Sequence, residues 1–186
     1  TSENHGSEEA LAELAFARTR GVKAPRVLIG GLGMGYTLRA ALDLLPPDGE
    51  VVVAELFPQV LRWNQEHLGH LAHHPLRDPR ARVELKDIHE QLRPDTYDLI
   101  LNDVDNGPGP MTQSVNERLY TAAGLDRFRR ALRPGGVLSI WSIYGDRRFE
   151  ETMRKAGFAD VRCEMVKARK EKGRSRYAIF LGTRTG

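Results

Sequence analysis

The feature that most constrains this chain is an aliphatic run that stops abruptly in glycine: Val27-Leu28-Ile29-Gly30-Gly31-Leu32-Gly33-Met34-Gly35. A short apolar run bounded by turn residues reads as a buried strand. The stretch Tyr36–Leu45 behind it is helix-like. A strand-to-helix turn alone does not need four glycines in six residues. Glycine lets the backbone approach a ligand where a side chain would block it. Open α/β sheets bind ligands at the carboxyl ends of their strands. Gly30, Gly31, Gly33 and Gly35 are therefore candidate ligand-binding residues. The spacing departs from the Gly-x-Gly-x-x-Gly of dinucleotide sites, because Tyr36 stands where the third glycine belongs. That argues against a nicotinamide cofactor.

The rest of the chain repeats this alternation. Strand-like runs are Arg26–Gly30, Val51–Glu55, Val83–Lys86, Tyr97–Asn102, Val137–Trp141, Val161–Val166 and Tyr177–Leu181. Helix-like stretches follow at Tyr36–Leu45, Pro58–Leu68, after Asp87, at Arg118–Leu132 and near Arg147–Ala156. Ser7, with Glu8 and Glu9 behind it, has the form of an N-cap and predicts a leading helix over Glu8–Arg18. Pro46-Pro47-Asp48-Gly49 is a turn into the second strand, and Arg133-Pro134-Gly135-Gly136 ends a helix before the fifth. The last two strands have no helix between them and read as a hairpin through Ala168–Ser175. Strand-helix alternation predicts a mostly parallel sheet covered on both faces, with its last strand antiparallel.

At 186 residues and 40% hydrophobic, the chain suits one domain over 1–186, with 1–24 as the leading helix. No apolar run reaches membrane-spanning length. The polar stretch Thr1–Glu9 lacks the basic and apolar regions of a secretory signal. Cys163 is the sole cysteine, so no internal disulfide forms. The cytoplasm is the expected compartment. Net charge is +3, from 28 basic and 25 acidic residues, which is mild for a nucleic-acid binder. The one cationic cluster, Lys167 to Arg176, reads as a solvated turn, with a phosphate-binding edge as the sharper alternative.

Three further strand ends carry polar groups suited to a nucleoside. Glu55 ends the second strand, where a carboxylate accepts both hydrogen bonds of a ribose diol. Asp87 follows the third strand and can accept from an adenine amino group, with Ile88 against the ring; a helix N-cap is its other reading. The fourth strand runs into Asn102-Asp103-Val104-Asp105-Asn106-Gly107-Pro108-Gly109-Pro110. One Asn or Asp suffices for a turn, so Asp103, Asp105 and Asn106 suggest a carboxylate beside a reacting centre. A plain loop and a Mg²⁺ site are the competing readings. The Asn/Asp-Pro-Pro-aromatic motif of enzymes that methylate bases is missing, which argues against nucleic acid as a partner.

Taken in order over roughly Pro25 to Trp141, these motifs resemble the spermidine synthase (polyamine aminopropyltransferase) family. That family lies within the S-adenosylmethionine-dependent methyltransferase superfamily. The resemblance rests on Val27–Gly35, Glu55, Asp78–Asp87, Tyr97–Pro110, Leu119-Tyr120 and Leu132–Val137. It implies a Rossmann-like methyltransferase fold of seven strands. It implies S-adenosylmethionine or its decarboxylated form as cofactor, and transfer of a methyl or aminopropyl group to a small-molecule acceptor. The family's proton-accepting aspartate falls on Asp103, with Asp105 and Asn106 as substrate contacts. Two positions depart from the family pattern. Met34 replaces an acidic residue that holds amine groups, and Asn106 replaces a second aspartate. Fewer carboxylates weaken a pocket for a polyamine dication. A non-catalytic nucleoside-binding or oligomerisation module derived from such enzymes is the second reading, and homodimerisation is left open.

Overall fold

The computed structural model describes residues 5–19, 21–104, 107–108, 116–168 and 175–186. Asp105, Asn106 and the hairpin cations Arg169, Lys170, Lys172 and Arg174 lie outside the described residues.

Seven strands form one sheet: β1 (Arg26–Gly30), β2 (Glu50–Glu55), β3 (Ala81–Leu85), β4 (Tyr97–Asn102), β5 (Leu132–Ser142), β6 (Phe158–Lys167) and β7 (Arg176–Arg184). Their spatial order is β3-β2-β1-β4-β5-β7-β6. The first five pair in parallel, and β7 runs antiparallel to both neighbours. The expected layout is therefore the observed one. The sequence reversal falls between β1 and β4, where β1 leaves the β3-β2-β1 run and β4 begins the other half. Their carboxyl ends meet a ligand crevice in open α/β sheets.

Alternation along the central strands divides the core in two. Val27 and Ile29, with Val51, Val53, Leu99 and Leu101, face α1 (Gly6–Phe16) and α2 (Tyr36–Leu44) through Leu11, Leu38 and Leu42. Leu28, Val52, Ile100, Leu138 and Ile140 face the other way, against Leu125 and Phe128 of α5 (Ala122–Ala131) and Phe149 and Met153 of α6 (Arg147–Lys155). Strands covered on both sides must be apolar at every position, which is why β1 and β2 read as unbroken aliphatic runs. Among the described residues no helix is long and apolar enough to cross a membrane.

Several local expectations are corrected. Ser7 is not the N-cap of α1. His5 is, because the Gly6 N–H is already held by the Ala168 carbonyl at 2.9 Å, and Ser7 donates instead to Glu8. The expected Pro58–Leu68 helix is α3 (Pro58–Trp63) followed by a π-helical turn over Asn64–Leu68. The expected Arg118–Leu132 helix is split. Thr121 accepts from the Gly124 N–H and caps α5, leaving Glu117–Tyr120 as a 3₁₀ turn. Arg133–Gly136 is no loop before β5. Strand pairing begins at Leu132 and shifts register between Tyr97 and Leu99, so the Pro-Gly-Gly stretch is an excursion inside the strand.

One ion pair ties the turn before β3 to the end of α2. Arg80 binds both oxygens of Asp78 and also donates to the Leu42 and Leu45 carbonyls at the end of α2. These bonds from Arg80 hold the Asp78 carboxyl down from 3.8 to about 2. A carboxyl with a depressed pKa in the fold stabilises above its ordinary value and loses that contribution as pH falls through the folded one. Resistance to urea unfolding should therefore fall as pH drops from 3.8 to about 2. Asp78→Asn should be less stable at neutral pH and flatter across that window.

Candidate functional site

A cleft of about 240 Å³ opens at the carboxyl ends of β1 to β4. It is lined by Gly31 and Gly33 from the glycine turn, Ala54 to Phe57 after β2, Val60, Lys86 to Ile88 after β3, and Asp103, Val104 and Asn116 beyond β4. Adjacent strands lie about 4.8 Å apart, so the β3 and β4 ends stand about 14 Å apart along the sheet edge. The cleft is thus an elongated trough with Asp87 at one end and Asp103 at the other.

Glu55 is buried, 6% exposed, and its charge is answered by backbone. Oε2 accepts from the Leu32 N–H at 3.0 Å and Oε1 from the Phe57 N–H at 2.8 Å. A carboxylate has about four acceptor sites. Two are used here, and the side chain still lines the cleft.

The glycines divide by role. Gly31 has φ +86°, and a Cβ there would lie 2.6 Å from the Asp103 carbonyl oxygen. Gly33 has φ +52°, and a Cβ there would meet open space. These two border the cleft. Gly30 is packed beneath it, where a Cβ would collide with Ile88, and Gly35 caps α2 against Pro75 and Asn64. Asn64, placed by the π-helical turn, donates to the Gly33 carbonyl at 2.8 Å and to Val60 at 2.9 Å, so it braces the turn from behind.

At the other strand ends, Asp87 caps α4 (Ile88–Gln91) through the His89 N–H, and its second oxygen takes Arg118. The helix-cap reading holds, and the carboxylate lines the cleft as well. Ile88 is 5% exposed and forms part of the floor. Asp103 is partly buried. Its N–H donates to the Gly30 carbonyl at 2.9 Å, and its Oδ2 accepts from Thr37 at 2.8 Å. Asp105 and Asn106 lie outside the described residues. Among the described residues no three His, Cys, Asp or Glu side chains gather to hold a metal.

The sequence reading missed Thr37, Asn64, Leu56, Phe57, Lys86 and Asn116. Leu56 and Phe57 carried a signal. They follow a strand-end acid directly and are 50% and 58% exposed, as large apolar groups are when they border a binding site. Thr37 and Asn64 carried none, because each acts through a contact distant in sequence.

Fold and site together define a Rossmann-like methyltransferase architecture with a trough at its strand ends. Similar solved structures are spermidine synthases. One, bound to the transition-state analogue AdoDATO, is 18% identical over 98% of this chain and 60% of its own, with TM-score 0.74. The enzyme from Thermotoga maritima is 19% identical over the same shares, with TM-score 0.76. A probable spermidine synthase from Corynebacterium glutamicum is 22% identical over 98% of this chain and 64% of its own, with TM-score 0.72. The chain therefore spans about three fifths of the length of these proteins and shares their fold. No protein-family model matches the chain, and no curated protein matches it in sequence.

Gly31→Ala should destabilise the protein by at least about 2 kcal/mol, since it combines a positive φ with a backbone clash. Gly33→Ala, with room for its methyl, should cost about 1 kcal/mol. Urea titrations of the two variants check the contrast.

Proposed function

We propose that this chain is an aminopropyltransferase-type enzyme domain. In this reading it binds a decarboxylated sulfonium nucleoside in the trough and passes its aminopropyl group to a small amine. The observation that carries the donor assignment is the charge of the trough. Among the described residues, three carboxylates, Glu55, Asp87 and Asp103, line it against one cation, Lys86. Arg118 is paired with Asp87. Among the described residues at the Asp103 end, 30–37, 102–104 and Asn116 include no Lys, Arg or His. An aminopropyl tail bears an ammonium beside the sulfonium and suits such walls. The α-carboxylate of S-adenosylmethionine would meet no cation among the described residues there. The likeness to spermidine synthases, one of them bound to AdoDATO, supports the same donor.

Glu55 would accept the ribose hydroxyls on its remaining lone pairs. Ile88 would pack on the base, with Asp87 near its amino group. At the other end the amine nitrogen attacks the carbon next to the sulfonium. A C–N bond forms, the C–S bond breaks, and its electron pair neutralises sulfur to give 5′-methylthioadenosine. The proton leaving the amine passes to Asp103. Because the leaving group is already activated, the domain's main work is to hold the nucleophile in line. Met34, standing where the resembled family carries an acid, favours a second reading in which the chain binds the nucleoside without turnover.

Calorimetry should show decarboxylated S-adenosylmethionine binding at least about tenfold tighter than S-adenosylmethionine, a difference of roughly 1.4 kcal/mol. Tighter binding of the carboxylated form would instead support methyl transfer. Glu55→Ala should weaken 5′-methylthioadenosine binding by about 1.5–3 kcal/mol for each hydrogen bond lost. Affinity within twofold of wild type would remove Glu55 from the ribose site. Asp103→Asn should lower turnover by about 10²–10⁴-fold with nucleoside affinity little changed. A wild type that binds nucleoside yet turns over no amine would establish the non-catalytic reading.

A further inference from the structure

Thr37 is the second residue of α2 and is 3% exposed. A threonine in a helix commonly turns its hydroxyl back to a carbonyl three or four residues earlier. Here the carbonyl four residues back, Gly33, receives Asn64, and Thr37 Oγ1 donates across the turn to Asp103 Oδ2 at 2.8 Å. The same aspartate is held at its backbone, where its N–H donates to Gly30 at 2.9 Å. Gly31 lacks the Cβ that would press on its carbonyl. Asp103 is therefore gripped at two points, by the end of β1 and by the first turn of α2. At 3% exposed, the β-branched side chain has few settings of its first torsion open to it, and the one it takes aims the hydroxyl at the carboxylate.

We propose that Thr37 is a positioning residue for Asp103. Its hydroxyl sets the plane of the carboxylate toward the reacting end of the trough. This rests on the reading of Asp103 as proton acceptor. The chemistry of the donor matters. A hydroxyl orients the carboxylate without cancelling its charge and lowers its basicity less than a paired Lys or Arg in its place would. The amino end of α2 adds a favourable field for the anion. Other charged groups lining the same trough are Glu55 on β2 and Lys86 and Asp87 after β3, with Arg118 on Asp87.

The test compares Thr37→Val, which keeps the shape and removes the donor, with Thr37→Ser, which keeps the donor. Carbon-13 NMR titration of the Asp103 carboxyl, assigned by its loss in Asp103→Asn, reads the contact whichever amine is the acceptor. Thr37→Val should raise its midpoint by about one pH unit, a tenfold change in proton affinity. Thr37→Ser should titrate like wild type. Both should bind 5′-methylthioadenosine within twofold of wild type. With decarboxylated S-adenosylmethionine and 1,4-diaminobutane, Thr37→Val should lose roughly tenfold in kcat with KM for the nucleoside unchanged. Thr37→Ser should restore it. If the valine variant does not fold, Thr37→Ala takes its place in both arms. A valine or alanine variant that titrates as wild type overturns the proposal. If Asp103→Asn is inactive while Thr37→Val keeps full kcat, only the role of Thr37 falls. If Asp103→Asn is fully active, the proton-acceptor reading falls and this proposal with it.

Discussion

The buried carboxylate of Glu55 is the tie on which the trough depends. A carboxylate at that depth needs hydrogen-bond donors, and the chain supplies two backbone N–H groups. One comes from the glycine turn after β1 and the other from the bend after β2. The carboxylate therefore sets the spacing between two strand ends and fixes the path of the turn between them. Asn64 completes the arrangement from behind by holding the Gly33 carbonyl. The turn is thus fixed on its N–H side by an anion and on its carbonyl side by an amide. A loop held at both kinds of backbone group keeps its shape without a ligand, and a preformed site loses little entropy on binding.

The fold was legible because its signals are local. Aliphatic runs ending in Gly, Glu, Asp or Asn marked the parallel strands and their carboxyl ends together. The hairpin without a helix marked the antiparallel strand. The errors also have local causes. Ser7 has the composition of an N-cap, yet a backbone bond from Gly6 to Ala168, formed across the whole chain, starts the helix earlier. Pro134-Gly135-Gly136 has the composition of a helix stop, yet pairing resumes at Leu132 and the turn is absorbed into β5.

The site divides along the same line. Gly31, Gly33, Glu55, Asp87, Ile88 and Asp103 were visible because each occupies a strand end, and all six border one trough. Gly30 and Gly35 were visible for the same reason but serve packing and helix entry. Thr37 and Asn64 were invisible, since a hydroxyl on a helix and an amide in a π turn gain meaning only from what they touch. Position along a strand is written in the sequence, whereas a hydrogen bond between distant segments is a product of the fold.

The placement of β7 bears on the order in which the sheet is built. β6 pairs with β7 and reaches β5 only through it. When a ribosome has delivered everything through β6, that strand has no edge to join. The flank of β5 stays open, and the apolar faces of α6 and β6, with Phe149, Met153 and Phe158, lack Phe180 as a partner. Only when β7 emerges and inserts between its elders does the assembly close, in one step. The nascent chain must therefore carry an unfinished edge until then, the interval in which it is most exposed to pairing with a neighbour.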